Sequence, residues 1–135
     1  MKRTAIVLVS ASLLAGGCDL LTDPSPDEAR LVIQGEAGKP VRVIISTVFV
    51  AQVDENQRTR VVIIEADTMV TTLPYETVYA IDEDQRFFAE AARLDDDLET
   101  VHMQVFIDRR MEFDEGGVLL ESHPYRFVYT FNQPV

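Results

Sequence analysis

From Arg30 onward, apolar and polar residues alternate in short runs, and clusters of Asp, Glu, Gly and Pro separate the runs. Successive side chains of a strand point to opposite faces, so period-two alternation predicts strands rather than helices. Thr100–Arg109 alternates most cleanly: Val101, Met103, Val105 and Ile107 fall on one face, and His102, Gln104 and Asp108 on the other. Further strands are predicted over Arg30–Gln34, Val41–Val53, Thr59–Glu65, Thr68–Leu73, Glu76–Ile81 and Arg86–Leu94. A last run carries Tyr125, Phe127, Tyr129 and Phe131 at period two. Ala-Glu-Ala-Ala-Arg within Arg86–Leu94 has good helix propensity, but strand-rich neighbours at hairpin spacing favour strand. The turn signals are Gly35–Gly38, Asp54–Gln57, Asp82–Asp84, Asp95–Asp97 and Asp114–Gly117, the last read as a hairpin in which glycine supplies positive φ. Seven or eight short strands with regular turns and no long helical pattern predict an all-β chain. The expected architecture is an antiparallel, immunoglobulin-like or Greek-key β-sandwich over residues 30–135.

Two strands break the in-out rule. Val41–Val53 sets Val41, Val43, Ile45, Thr47, Phe49 and Ala51 on one face, yet its other face also carries Ile44, Val48 and Val50. Thr59–Glu65 is likewise apolar on both sides. One face fills the core, and the other needs a cover: the chain's own loops, a change of sheet at a bend, or a partner. Ile44, Val48, Val50, Val62 and Ile64 are therefore the candidate partner surface.

The first residues follow a different pattern. Lys2 and Arg3 precede an apolar run from Thr4 to Leu14, then come Ala15, Gly16, Gly17 and Cys18, the only cysteine in the chain. About 11 residues are too few for a spanning helix, which needs about 20, so the run reads as a processed export signal. Leu14–Cys18 resembles the lipobox of bacterial lipoproteins. That resemblance implies cleavage between Gly17 and Cys18, removal of residues 1–17, and a lipid on the Cys18 sulfur. It also implies export, anchoring on the periplasmic or extracellular face of a membrane, and no other cofactor. Asp19 resembles the residue that retains such proteins in the inner membrane of enterobacterium-like cells. Residues 18–29 then form a tether in which Pro24 and Pro26 disfavour helix and the acids stay solvated. At roughly 3.3 Å per residue, Asp19–Glu28 holds the domain within about 33 Å of the bilayer.

Removing the signal leaves roughly 118 of the 135 residues, enough for one domain with its own core. The formal net charge of −11 becomes more negative with the loss of Lys2 and Arg3. Nucleic acid demands a basic footprint, so that partner class is excluded. With one cysteine and two histidines, His102 and His123, a zinc site is poorly supplied. Ser122 beside His123 does not make a hydrolase, because adjacent side chains in a strand point apart. The acidic turns offer weak calcium candidates, Asp82, Asp84, Asp95 and Asp97, but none has the spacing of a dedicated loop. The expectation is a non-catalytic domain that binds another envelope protein, with a ligand- or calcium-binding module as the alternative.

One more resemblance spans most of residues 31–110. Leu31–Gly38, the Val41–Val50 strand, Leu73-Pro74-Tyr75, Phe88-Ala89-Glu90-Ala91 and Val105-Phe106-Ile107-Asp108 follow one another in an order similar to that of the mycobacterial small membrane proteins that accompany lipid exporters. The resemblance implies a β-sandwich and an accessory role beside a transporter. The chain departs from the family in lacking its late disulfide pair, and in having a lipobox where the family has a membrane span.

Overall fold

Eight antiparallel strands form two four-stranded sheets in the structure, a computed structural model that describes residues 25–94, 99–120 and 122–131. They are β1 (Glu28–Gly35), β2 (Pro40–Val53), β3 (Thr59–Thr72), β4 (Tyr75–Ala80), β5 (Arg86–Arg93), β6 (Glu99–Ile107), β7 (Arg110–Leu119) and β8 (Tyr125–Thr130). One sheet has the order β4-β1-β6-β7 and the other β3-β2-β5-β8. β1 and β6 bury alternate side chains, whereas β5 is buried on both faces from Phe87 to Ala92. Leu31 and Ile33 of β1, Val41, Val43 and Ile45 of β2, Phe87, Ala89 and Ala91 of β5, and Val101, Met103 and Val105 of β6 make the core between the sheets. The fold is the expected β-sandwich, and its order is of the Greek-key kind. Strands β2, β3 and β4 follow one another around the sandwich, and β1 lies beside β4; β6, β7 and β8 do the same with β5 beside β8. Raising every strand number by four turns the first sheet into the second. β1 and β2 sit in different sheets, unlike the first two strands of an immunoglobulin constant domain.

Several local expectations are corrected. Thr59–Glu65 and Thr68–Leu73 are one strand, β3, whereas Arg86–Arg93 is strand as expected. Asp114–Gly117 is not a turn but the middle of β7; the chain reverses instead at Asp108-Arg109, where Asp108 takes a φ of 53°. The same Asp108 carboxylate accepts hydrogen bonds from the backbone N–H of Asp27 at 3.0 Å and of Glu28 at 3.1 Å. The folded domain accordingly begins ahead of the expected residue 30. Pro26 is buried, Asp27 accepts from the N–H of Ile81 at 2.9 Å, and β1 starts at Glu28, ahead of the expected Arg30.

At the opposite end of β1, Gly35 is pressed against the loop before β4. A Cβ there would lie 2.5 Å from Leu73 Cδ1 and 3.1 Å from the Thr100 carbonyl oxygen, so a side chain would have to displace Leu73 and crowd the β6 backbone.

Candidate functional site

β2 and β3 are much longer than the sandwich needs. β2 pairs with β5 only over Val41–Ser46, but it pairs with β3 all the way to Val53↔Thr59. Beyond Ser46 these two strands are therefore a two-stranded arm with no third strand paired to them among the described residues, although Arg86 of β5 still donates to the Phe49 carbonyl at 2.9 Å. β1 runs from Glu28 to Gly35 and β2 returns from Pro40, so the arm extends from the end of the sandwich where β1 starts. The Asp54–Arg58 loop closes it: Asp54 N–H donates to the Arg58 carbonyl at 2.9 Å, and the Asp54 carboxylate accepts from the N–H groups of Asn56 and Arg58, each at 2.8 Å.

A double irregularity marks the root of the arm. Ile45 pairs with Asp67 and Val48 with Glu65, leaving an extra residue on β2; Phe49 then pairs with Ile63, leaving Ile64 without an opposite residue on β3. Ser46 pins the distortion. Its buried hydroxyl donates to the Glu65 carbonyl at 2.6 Å and accepts from the Val48 N–H at 3.1 Å, so the groups released from the ladder stay satisfied. The shift also re-aims the side chains that follow. Phe49 leaves the face of Val43 and Ile45 and packs edge-on against Phe88, with ring centroids 6.2 Å apart. The expected single face from Val41 to Ala51 is thus broken at Ser46. A cavity of about 260 Å³ opens at this root, lined among others by Val48, Glu65, Asp67 and Tyr79. Burial, followed by the nearby Tyr75 and then Asp67, which also hydrogen-bonds to it, pushes the Tyr79 phenol above its ordinary value.

The five residues of the candidate surface do not form one face. Ile44 lies in the body of the sheet, half-buried opposite Glu90, and Val48 is half-buried at the arm's root. Val50 and Val62 are a cross-strand pair on the arm, 38% and 43% exposed, and Ile64, the bulge residue, is 66% exposed. Val53 and Ile63, which were not among the candidates, are also exposed on the arm. The described part of the chain covers Ile44 and Val48 in part and leaves Val53 and Ile64 the most exposed of these residues.

The remaining candidates are scattered. His102 lies on the outer face of the β4-β1-β6-β7 sheet, its ring over Gly116, where a Cβ would come within 3.0 Å of it. Its Nε2 meets the Asp114 carboxylate, which also accepts from Gln104 at 3.2 Å. His123 is not in a strand: it sits in the turn between β7 and β8, where the Ser122 hydroxyl and His123 Nδ1 are 2.8 Å apart. The expectation that these side chains diverge is therefore wrong, since a turn lacks the alternation of a strand. The pair is fully exposed, and water competes there for any developing charge.

Asp82 and Asp84 are exposed, and among the described residues no three His, Cys, Asp or Glu side chains are grouped to hold a metal ion. Gly17, Cys18, Asp95 and Asp97 lie outside the described residues. Of the aromatic run, Phe127 is core, and Tyr125 and Tyr129 pack against it. In comparison with known proteins, no family model, no curated relative and no solved structure matches this chain.

Proposed function

We propose that this chain is an exported lipoprotein, acylated on Cys18, whose non-catalytic β-sandwich binds another envelope protein through the β2–β3 arm. The observation that carries the reading is the arm itself. It projects past the sandwich, is apolar along both strands, and exposes Val50, Val53, Val62, Ile63 and Ile64. Exposed apolar side chains gathered on one projecting element mark a place where something else binds. Position supports the anchor as well. The arm leaves the sandwich at the end where β1 starts, which is also the end from which a tether on Cys18 would run to the bilayer. A membrane-embedded transporter or assembly, the partner class implied by the likeness to the mycobacterial small membrane proteins, would meet the arm there.

The test is crosslinking in cells from the arm of the anchored protein. Val50→Lys and Ile64→Lys should abolish the crosslinked product and leave the circular dichroism of the purified chain unchanged, because both side chains are exposed. Unaltered crosslinking in both variants would refute the arm as the binding surface. The anchor is tested separately: Cys18→Ala should lose all lipid labelling and accumulate as an uncut precursor.

A further inference from the structure

The outer edge of the arm is the free side of β3, an edge strand over its whole length. From residue 58 to residue 67 it reads Arg-Thr-Arg-Val-Val-Ile-Ile-Glu-Ala-Asp: cations at one end, four apolar residues in the middle, anions at the other. Arg58, Arg60 and Glu65 have no ion-pair partner among the described residues. Edge strands are ordinarily guarded by short length, proline, charges or bulges; β3 has its charges and its bulge at Arg60, Ile64, Glu65 and Asp67, but it runs for 14 residues with neither proline nor lysine.

We infer that two copies of this chain join arm to arm, with β3 antiparallel to the β3 of the second copy about a twofold axis at Val62. An antiparallel copy reads the edge backwards, and this edge is antisymmetric in charge, so its own reverse is its complement. With Val62 facing Val62, Val61 faces Ile63. Passing Ile64 as a bulge, as β2 already does, brings Arg60 to Glu65, Thr59 to Ala66 and Arg58 to Asp67. The twofold doubles every pair except Val62 with Val62 on the axis itself, giving an apolar centre flanked on each side by opposite charges. A parallel copy would set Arg60 on Arg60 and Glu65 on Glu65. The same register carries the tip of each arm to the root of the other, where Arg58 arrives beside Asp67 and the cavity that Glu65 and Tyr79 help to line. A strand from an unrelated protein could fill the free backbone groups, but the chain's own reverse matches both charged ends with no further requirement on a partner. The interface uses the edge of the arm and needs no lipid, so it stands apart from the function proposed above.

The test is the mass of the full chain across a concentration series, by light scattering and sedimentation. The wild type should be a dimer at high concentration and dissociate on dilution. Arg60→Glu places two pairs of carboxylates in contact, and Glu65→Arg two pairs of guanidinium groups. Each single change should raise the dissociation constant by roughly tenfold or more. The double variant exchanges the signs and should restore the dimer. Both side chains are exposed, so circular dichroism should be the same throughout. As an independent readout, Val62→Cys should form an intermolecular disulfide across the axis under oxidation, and Val118→Cys on β7 should not. A wild type that stays monomeric without a Val62→Cys crosslink would overturn the inference. So would a dimer indifferent to the single changes, or a double variant that remains monomeric, and the arm would then be an edge for a different protein.

Discussion

Glu90 is the residue at which charge and burial conflict. It belongs to the outer face of β5, where Ile44 and Arg126 oppose it across the two neighbouring strands, and its side chain is only 7% exposed. Arg126 donates from Nε to one carboxylate oxygen, and Arg42 approaches the other at 3.9 Å. A buried carboxylate is costly unless paired, so the closer arginine matters more than its own exposure suggests. Arg126→Ala should destabilise the domain by about 1–3 kcal/mol in urea unfolding, because it leaves Glu90 with the distant Arg42 alone. Glu90→Leu should cost clearly less, since it removes the buried charge together with its need for a partner. A larger loss for Glu90→Leu than for Arg126→Ala would contradict this ordering. Sequence patterning showed Glu90 only as a polar position on an outward face; the two arginines come from β2 and β8, and strand order is what brings them together. The same limit hid the β6–β7 turn. Asp114–Gly117 has turn chemistry, but the glycines make room inside β7, Gly116 for the His102 ring and Gly117 for the Tyr125 hydroxyl. The actual reversal rests on Asp108 in a positive-φ conformation, which aspartate adopts more readily than most residues.

Among the elements, the arm is where pattern and packing part company. Strong β-branched runs in Val41–Val53 and Thr59–Glu65 made both strands legible, and double-sided apolarity marked them as unusual. Their length beyond the sheet was not legible, because pairing with β5 stops at Ser46 for reasons set by β5. The bulge at Ser46 decides which way Phe49 faces, and a serine in a strand carries no signal of that role. Replacing Ser46 by Ala strips the Val48 N–H and the Glu65 carbonyl of their shared partner at a buried site. The expected cost is about 1–2 kcal/mol of stability. Amide exchange should locate it: faster exchange over residues 47–53 and 59–66, with the protection of β1 and β6 unchanged. Uniform acceleration across both sheets would mean that the arm and the sandwich unfold as one unit.

The molecule as a whole is two Greek-key halves folded across one core, and it has two open seams where the sheets meet. Tyrosines sit at both. Tyr79 of β4 is at the β3 seam, against Phe87 with ring centroids 6.1 Å apart; Tyr125 and Tyr129 of β8 are at the β7 seam. Burial is the first cause raising all three phenols above their ordinary value. Nearby groups add to it: Tyr75 and Asp67 beside Tyr79, Glu115 beside Tyr125, and Glu112 and Asp108 beside Tyr129, where Arg110 partly opposes them. The folded state thus holds its phenols neutral more firmly than the unfolded chain does. Below the ordinary tyrosine value of about 10, both states keep the proton and these groups leave stability independent of pH. As pH rises past that value the unfolded chain ionises first, so stability falls and goes on falling through the raised folded values. The urea midpoint should therefore fall above about pH 10, and phenolate absorbance of the folded chain should lag that of the denatured chain. Tyr79→Phe, Tyr125→Phe and Tyr129→Phe should each flatten part of that drop. The acidic carboxylates are already charged throughout this range, so an alkaline loss that survives all three substitutions would place its origin outside the seams.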